Sequence, residues 1–233
     1  MPFELANHMK IKRSAVISGL LLAITPVIWA QVKSQKVDSK APEAAAPEIQ
    51  SILSGSAMEV VDNDGKPMLK VWVAKELAGS TKPAGPKGTI LFPFLNEGQL
   101  LGVVQVISQV GDYRDQPVSP GIYTLRYGLQ PVNGDHLGAS PFRDFACLVP
   151  AKIDRKPEVL AKKALEKSSA EAAGTSHPAI MMFLAPKEDA KAGDIVRDDE
   201  NDRTSIVLPF AVNAGGAKTE VKIQWVVQGR APV

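Results

Sequence analysis

The chain has a single cysteine, Cys147. No intramolecular disulfide can form, so a domain exported into an oxidising compartment must rely on its core instead. Net charge is nearly absent, with 27 basic residues against 25 acidic ones. No basic cluster tracks a phosphate backbone, which argues against nucleic acid as a partner. Nor is there one that would dock the chain on an acidic membrane. Beyond residue 30 no apolar run approaches the roughly 20 residues that cross a bilayer as a helix. G-x-S-x-G, H-E-x-x-H, P-loop and dinucleotide fingerprints are missing, as is any internal repeat of fixed period. No cofactor is expected.

What the chain does have begins at its start. Lys10, Lys12 and Arg13 form a positive segment, and an apolar run from Ala15 to Ile28 follows. Trp29-Ala30 ends in a small residue that a signal peptidase accepts, making Gln31 the expected first mature residue. The run is about fifteen residues, short of a bilayer span, and Pro26 would break a helix near its end. The alternative is an uncleaved anchor, because bulky Ile28 stands three positions before the expected cut. Residues 1–30 hold Lys10, Lys12, Arg13 and Glu4, so the mature chain is left with 24 basic and 24 acidic residues. It is expected to be periplasmic or secreted, or tethered if the anchor stays. Residues 31–54, rich in Lys, Ala, Pro and Glu, read as a disordered spacer. Residues 55–230 are expected to form one domain.

From Ser56 onward, short apolar runs alternate with Gly, Pro, Asn and Asp, the pattern of strands and turns. Met58–Val61 and Met68–Ala74 flank Asp62-Asn63-Asp64-Gly65, a hairpin turn sequence. Further strands are predicted at Thr89–Phe94, Gln99–Ser108, Gly121–Gln130, Phe142–Val149, Ala179–Ala185, Thr204–Val212 and Thr219–Gln228. The run Leu100 to Ile107 is apolar on both faces and reads as a central strand. In the last strand Val221, Ile223, Trp225 and Val227 should point inward. Pro157–Ala173 is rich in Ala, Leu, Lys and Glu, starts on Pro and is followed by Gly174. This predicts one surface helix carrying a Glu158–Lys162 pair and a thin apolar face of Val159, Leu160 and Leu165. Lys187–Arg203 reads as a long polar loop. About nine strands without βαβ alternation predict a mainly β protein, an antiparallel β-sandwich with one inserted helix.

The densest cluster of chemistry-bearing residues runs from 130 to 144 and holds Asn133, Asp135, His136, Ser140, Arg143 and Asp144. A polar loop on a rigid β scaffold is where binding residues concentrate. As ligand contacts the candidates are Asn133, His136, Ser140 and Arg143. As a catalytic set they are His136 as base, Arg143 as anion clamp, and Asp135 and Asp144 as orienting carboxylates. The competing reading is a structured turn built on Asn133-Gly134 and Ser140-Pro141. Asp198, Asp199, Glu200 and Asp202 supply oxygen ligands of the kind calcium takes, but Arg197 and Arg203 bracket them and the spacing fits no known calcium loop. Asp62-Asn63-Asp64-Gly65 likewise lacks the later glutamate. Cys147 sits in an apolar run and reads as an inert core thiol. His177, Met181 and Met182 raise copper, but Cys147 and His177 are thirty apart and the methionines fit a core strand.

Val118-Ser119-Pro120-Gly121-Ile122-Tyr123-Thr124-Leu125-Arg126-Tyr127 resembles the P-x-G-x-Y-T-L strand of secreted bacterial β-sandwich families, with Pro120 and Gly121 here adjacent. Those families include uncharacterised exported proteins and accessory modules of exported enzymes. With Ser140-Pro141-Phe142-Arg143-Asp144-Phe145, the resemblance covers about thirty residues. It implies a β fold and an exported location, and no activity. Together these readings favour a non-catalytic binding or accessory protein of the bacterial cell envelope, its partner an envelope ligand or protein. The alternatives are a metal-dependent or hydrolase-like enzyme using the 130–144 loop, and a structural or assembly protein.

Overall fold

A computed structural model describes residues 32–62, 64–136 and 140–231. The proposed signal segment lies outside the described residues. The protein is mainly β, with strands β1 (Lys33–Val37), β2 (Ala57–Val61), β3 (Pro67–Val73), β4 (Leu77–Ala78), β5 (Leu100–Val106), β6 (Val110–Gly111), β7 (Pro117–Val118), β8 (Gly121–Leu129), β9 (Asp144–Pro150), β10 (Ile180–Leu184), β11 (Ile195–Asp198), β12 (Arg203–Ala214) and β13 (Ala217–Gln228). Two helices accompany them, α1 (Pro47–Ile52) and α2 (Lys162–Ala173).

Ten strands form one sheet in the order β1-β2-β3-β5-β8-β9-β10-β13-β12-β11. The short β4 adds parallel to β12, and the other described pairings are antiparallel. The sheet curls on itself, bringing β12 against β3. Ser34 on β1 donates a hydrogen bond to the Gly193 carbonyl just before β11, so the two ends approach each other. The result is a half-barrel, where the sequence pattern suggested two stacked sheets.

The concave face holds the main core. Leu69, Val71, Leu125, Tyr127, Phe183, Phe210, Ile223, Trp225 and Val227 all pack there, so three of the four residues predicted inward on the last strand are buried and the fourth, Val221, is partly buried against them. β5 is covered on both faces as its composition suggested. A bulge between Leu100 and Gly102 lets Leu101 and Val104 share the concave core while Leu100 and Val103 pack with Trp72 and Ile49 on the other side.

Four sequence expectations give way here. Residues 33–54 are not a disordered spacer: β1 pairs with β2, and α1 buries Ile49 fully against Trp72 and Leu100. The indole of Trp72 donates to the Ser39 carbonyl at 2.7 Å. Ala and Pro are common in spacers, but here Ala45 and Ala46 are small enough to bury fully in the interface. Thr89–Phe94 is not a strand. Leu91, Phe92 and Phe94 fill the core, but the Leu91 and Phe92 amides are satisfied by a carboxylate rather than a neighbouring strand, and Pro93 has none to offer. The helix starts at Lys162 and not at Pro157. Leu160 N–H donates to the Gly98 carbonyl, and the Glu158 carbonyl accepts from Arg126, so residues 157–161 are held extended. Lys162 therefore pairs with Glu97 at 2.8 Å and not with Glu158. Finally, the stretch from 187 to 203 contains the short edge strand β11.

Candidate functional site

The convex face of β8, β9 and β10 is partly roofed by α2, and a cavity of about 530 Å³ lies between them. Its floor is apolar: Leu129, Phe145, Cys147, Leu165 and Ile180, with Tyr113 beside Phe145. The two rings stand 5.4 Å apart at an angle of 57°. Gly128 is part of this floor because a Cβ there would fall 2.7 Å from the Cys147 sulfur.

Three polar devices hold the walls. The first is Asp112, 1% exposed. One of its oxygens accepts from the Arg114 and Gln116 amides, both at 2.8 Å, and the other from the Gln116 side chain at 2.8 Å and the Ile180 amide at 3.1 Å. This pins the β6–β7 turn, and hence Tyr113 and Arg114, to β10. The second is a clamp under the lead-in to α2. Arg126 is fully buried on β8. Its Nε and one terminal nitrogen grip Asp154 at 2.6 and 2.8 Å, and its remaining donors reach the carbonyls of Gly98, Lys156 and Glu158. All five N–H groups of the guanidinium are used. Thr124 donates to the same carboxylate. The third is Lys162, which reaches Glu97 at 2.8 Å and the Leu129 carbonyl at 3.3 Å and fixes the first turn of α2 to β8. At the other end Gly174 is left-handed, φ 63°, and the buried Ser169 hydroxyl donates to the Ala179 carbonyl.

The rim is charged. Arg114, Lys163 and Lys167 supply cations, Glu97 and Glu166 carboxylates, and His136 and His177 imidazoles. Both carboxylates face Lys162, at 2.8 and 4.0 Å. Arg114, Lys163 and Lys167 have no ion pair among the described residues. Burial pushes the Cys147 thiol up to about 12, so the sulfur in the floor is a protonated, unreactive thiol at neutral pH. Burial also raises the Tyr113 phenol above its ordinary value.

The 130–144 cluster is dispersed by the fold. His136 ends a single 3-10 turn, Gly134–His136, and lines the cavity rim, its Nδ1 bonded to the Asn133 side chain. Asp135 falls in the same turn. Ser140 is partly buried; it accepts from the Phe142 amide and lies 3.3 Å from the Met182 sulfur. Arg143 donates through Nε to the Gln130 carbonyl at 2.7 Å. Asp144 is fully buried. It accepts from the Leu91 amide (2.8 Å), the Phe92 amide (3.1 Å) and the Tyr127 hydroxyl (2.6 Å), and so stitches the 89–95 segment to the sheet. Among the described residues of this segment, His136 lines the cavity together with Gln130 and Pro131, and the other candidates do not.

The acidic run lies at the β11–β12 turn, where two arginines pair with three of its four carboxylates. Arg197 holds Asp199 at 2.8 Å and Asp202 at 2.5 Å, and Arg203 holds Asp198 at 2.6 Å. The bond from Arg203 keeps the Asp198 carboxyl below its usual range. Glu200 points to solvent. Among the described residues no group of three or more His, Cys, Asp or Glu side chains is placed to hold a metal ion. No helix among them is long and apolar enough to cross a membrane. Met181 and Met182 are buried core residues.

Sequence reasoning missed Tyr113, Arg114, Lys163 and Lys167, which come from two distant segments that only tertiary packing unites. No protein-family model, curated protein or solved structure matches this chain.

Proposed function

We propose that the protein is an exported, non-catalytic binding protein of the bacterial cell envelope, and that its ligand seats in the cavity beneath α2. The observation that carries this reading is the cavity itself: a volume of about 530 Å³, an apolar floor and a few polar groups at the mouth, the usual make-up of a small-molecule site. The commitments of the nearby catalytic candidates support it. Asp144 spends both oxygens on backbone amides and a tyrosine hydroxyl, and Arg143 commits its Nε to the Gln130 carbonyl. The thiol in the floor is protonated. The positive, apolar and small-residue succession over residues 10–30 supports export.

Two measurements test the proposal. The full chain, produced in a bacterium and fractionated, should appear in the envelope with Gln31 at its N-terminus; an intact chain confined to the cytoplasm contradicts export. Thermal denaturation of the mature protein with a panel of small amphiphiles should show stabilisation by some of them. Ile180→Trp, which fills the cavity from a partly exposed position, should remove it. Stabilisation that survives this substitution places the ligand elsewhere.

A further inference from the structure

Building on that reading, we infer that the ligand is an amphipathic carboxylate: an apolar body of medium length with one anionic head. The body follows from the floor, where Leu129, Phe145, Leu165 and Ile180 present carbon and Cys147 a protonated sulfur. The head follows from the rim. Four cations, Arg114, Lys162, Lys163 and Lys167, stand at or beside the cavity against two carboxylates, Glu97 and Glu166. Both carboxylates are already met by Lys162, and Glu97 also accepts from the Leu129 amide. The rim therefore carries a net surplus of two positive charges, presented by the three cations without ion partners, Arg114, Lys163 and Lys167. Lys163 and Lys167 are four residues apart on one face of α2. Arg114 comes from the β6–β7 turn, held by Asp112, and its guanidinium can take a carboxylate in two parallel hydrogen bonds.

The surplus is local. The mature chain is formally neutral, so the excess at this mouth is not a reflection of general basicity. A cationic amphiphile would meet repulsion there, and a neutral one would leave the three cations unused. Fully polar ligands, small inorganic anions and sugars among them, would leave the apolar floor without a matching apolar body.

The test is calorimetric titration of the mature protein with decanoate, decanol and decyltrimethylammonium, each below its micelle concentration. Decanoate should bind about tenfold more tightly than decanol, from three modest charge contacts, with decyltrimethylammonium weakest. In Arg114→Gln/Lys163→Gln/Lys167→Gln, folded by circular dichroism, decanoate should fall to the level of decanol while decanol is unchanged. Ile180→Trp, or Leu129→Trp should the first not fold, should abolish both. Equal binding of decanoate and decanol, or tighter binding of the cation, overturns the carboxylate assignment and leaves the binding reading standing. No binding by any of the three to a folded protein, or binding untouched by the tryptophan substitutions, overturns both.

Discussion

Arg126→Met removes the clamp beneath the lead-in to α2. Its consequences can be counted from the structure. Arg126 and Asp154 have side chains 0% and 2% exposed. Taking the arginine away leaves the Asp154 carboxylate buried with the Thr124 hydroxyl as its remaining side-chain donor. Breaking a buried pair by deleting one partner costs about 3–5 kcal/mol, most of it the burden of the unpaired charge. Three carbonyls also lose a donor. Those of Lys156 and Glu158 lie on exposed residues and can turn to water, and that of Gly98 keeps the Leu160 amide, so they add little. The expected loss is about 4 kcal/mol, which for a domain of this size lowers the melting temperature by roughly 8–16 °C. Urea denaturation followed through Trp72 and Trp225, both buried, measures it, and an unchanged m-value would show that the unfolded state is the same. The double variant Arg126→Met/Asp154→Leu should recover most of the loss, because an apolar pair of similar volume is often neutral. A single substitution costing under about 1 kcal/mol, or a double variant no better than the single, would refute the assignment of this pair as the fastening of the cavity wall.

Three further outcomes are expected. Thiol-reactive dye at pH 8 should label Cys147 in the native protein at least about a thousandfold more slowly than in denaturant, since a thiol near 12 is about one part in ten thousand ionised there; labelling within seconds contradicts its burial. The same group adds a pH dependence with a definite sign. Its thiol is raised in the folded state, so its contribution is complete below the unfolded value of about 8.5 and is lost as pH rises towards 12, at up to about 1.4 kcal/mol per pH unit. The stability gap between the wild type and Cys147→Ala should therefore shift steadily against the wild type between pH 9 and 11, and a constant gap across that range would contradict it. Gly98→Ala should cost about 3 kcal/mol or prevent folding in urea titrations, because φ is 88° and the added Cβ would lie 1.9 Å from the Leu160 carbonyl oxygen.

Much of the strand pattern was legible because alternation reports which face is buried. Tyr123, Leu125 and Tyr127, alternate residues of β8, all face the core. The alternation could not show what covered the other face. Thr124 and Arg126, on the opposite face of β8, are fully buried as well, because Asp154 and the carbonyls of Lys156 and Glu158 come over them. Curling of the sheet into a half-barrel was invisible for a related reason: it depends on which non-neighbouring strands meet, as β12 meets β3. Spacer composition misled at 33–54, where Ala45, Ala46 and Ile49 pack against Trp72, because small residues look alike in a linker and in a tight interface. In the 130–144 loop, residue type pointed to chemistry, while three of the side chains serve the scaffold: Ser140, Arg143 and Asp144 bond within the protein. Of the named candidates with described side chains, His136 reaches the cavity, beside Gln130 and Pro131. The rim cations drew no notice since an exposed lysine on a helix is ordinary until a cavity is found beside it.

The central claim is that a small ligand occupies the space between α2 and the convex face of β8–β10. Amide chemical shifts of the mature protein during titration with decanoate test it most directly. Saturable shifts concentrated at Arg114, Gly128, Leu129, Lys163, Lys167 and Ile180 are the predicted result. Shifts that fail to saturate, or that cluster on residues remote from this cavity such as 83–86 and 219–221, would contradict it.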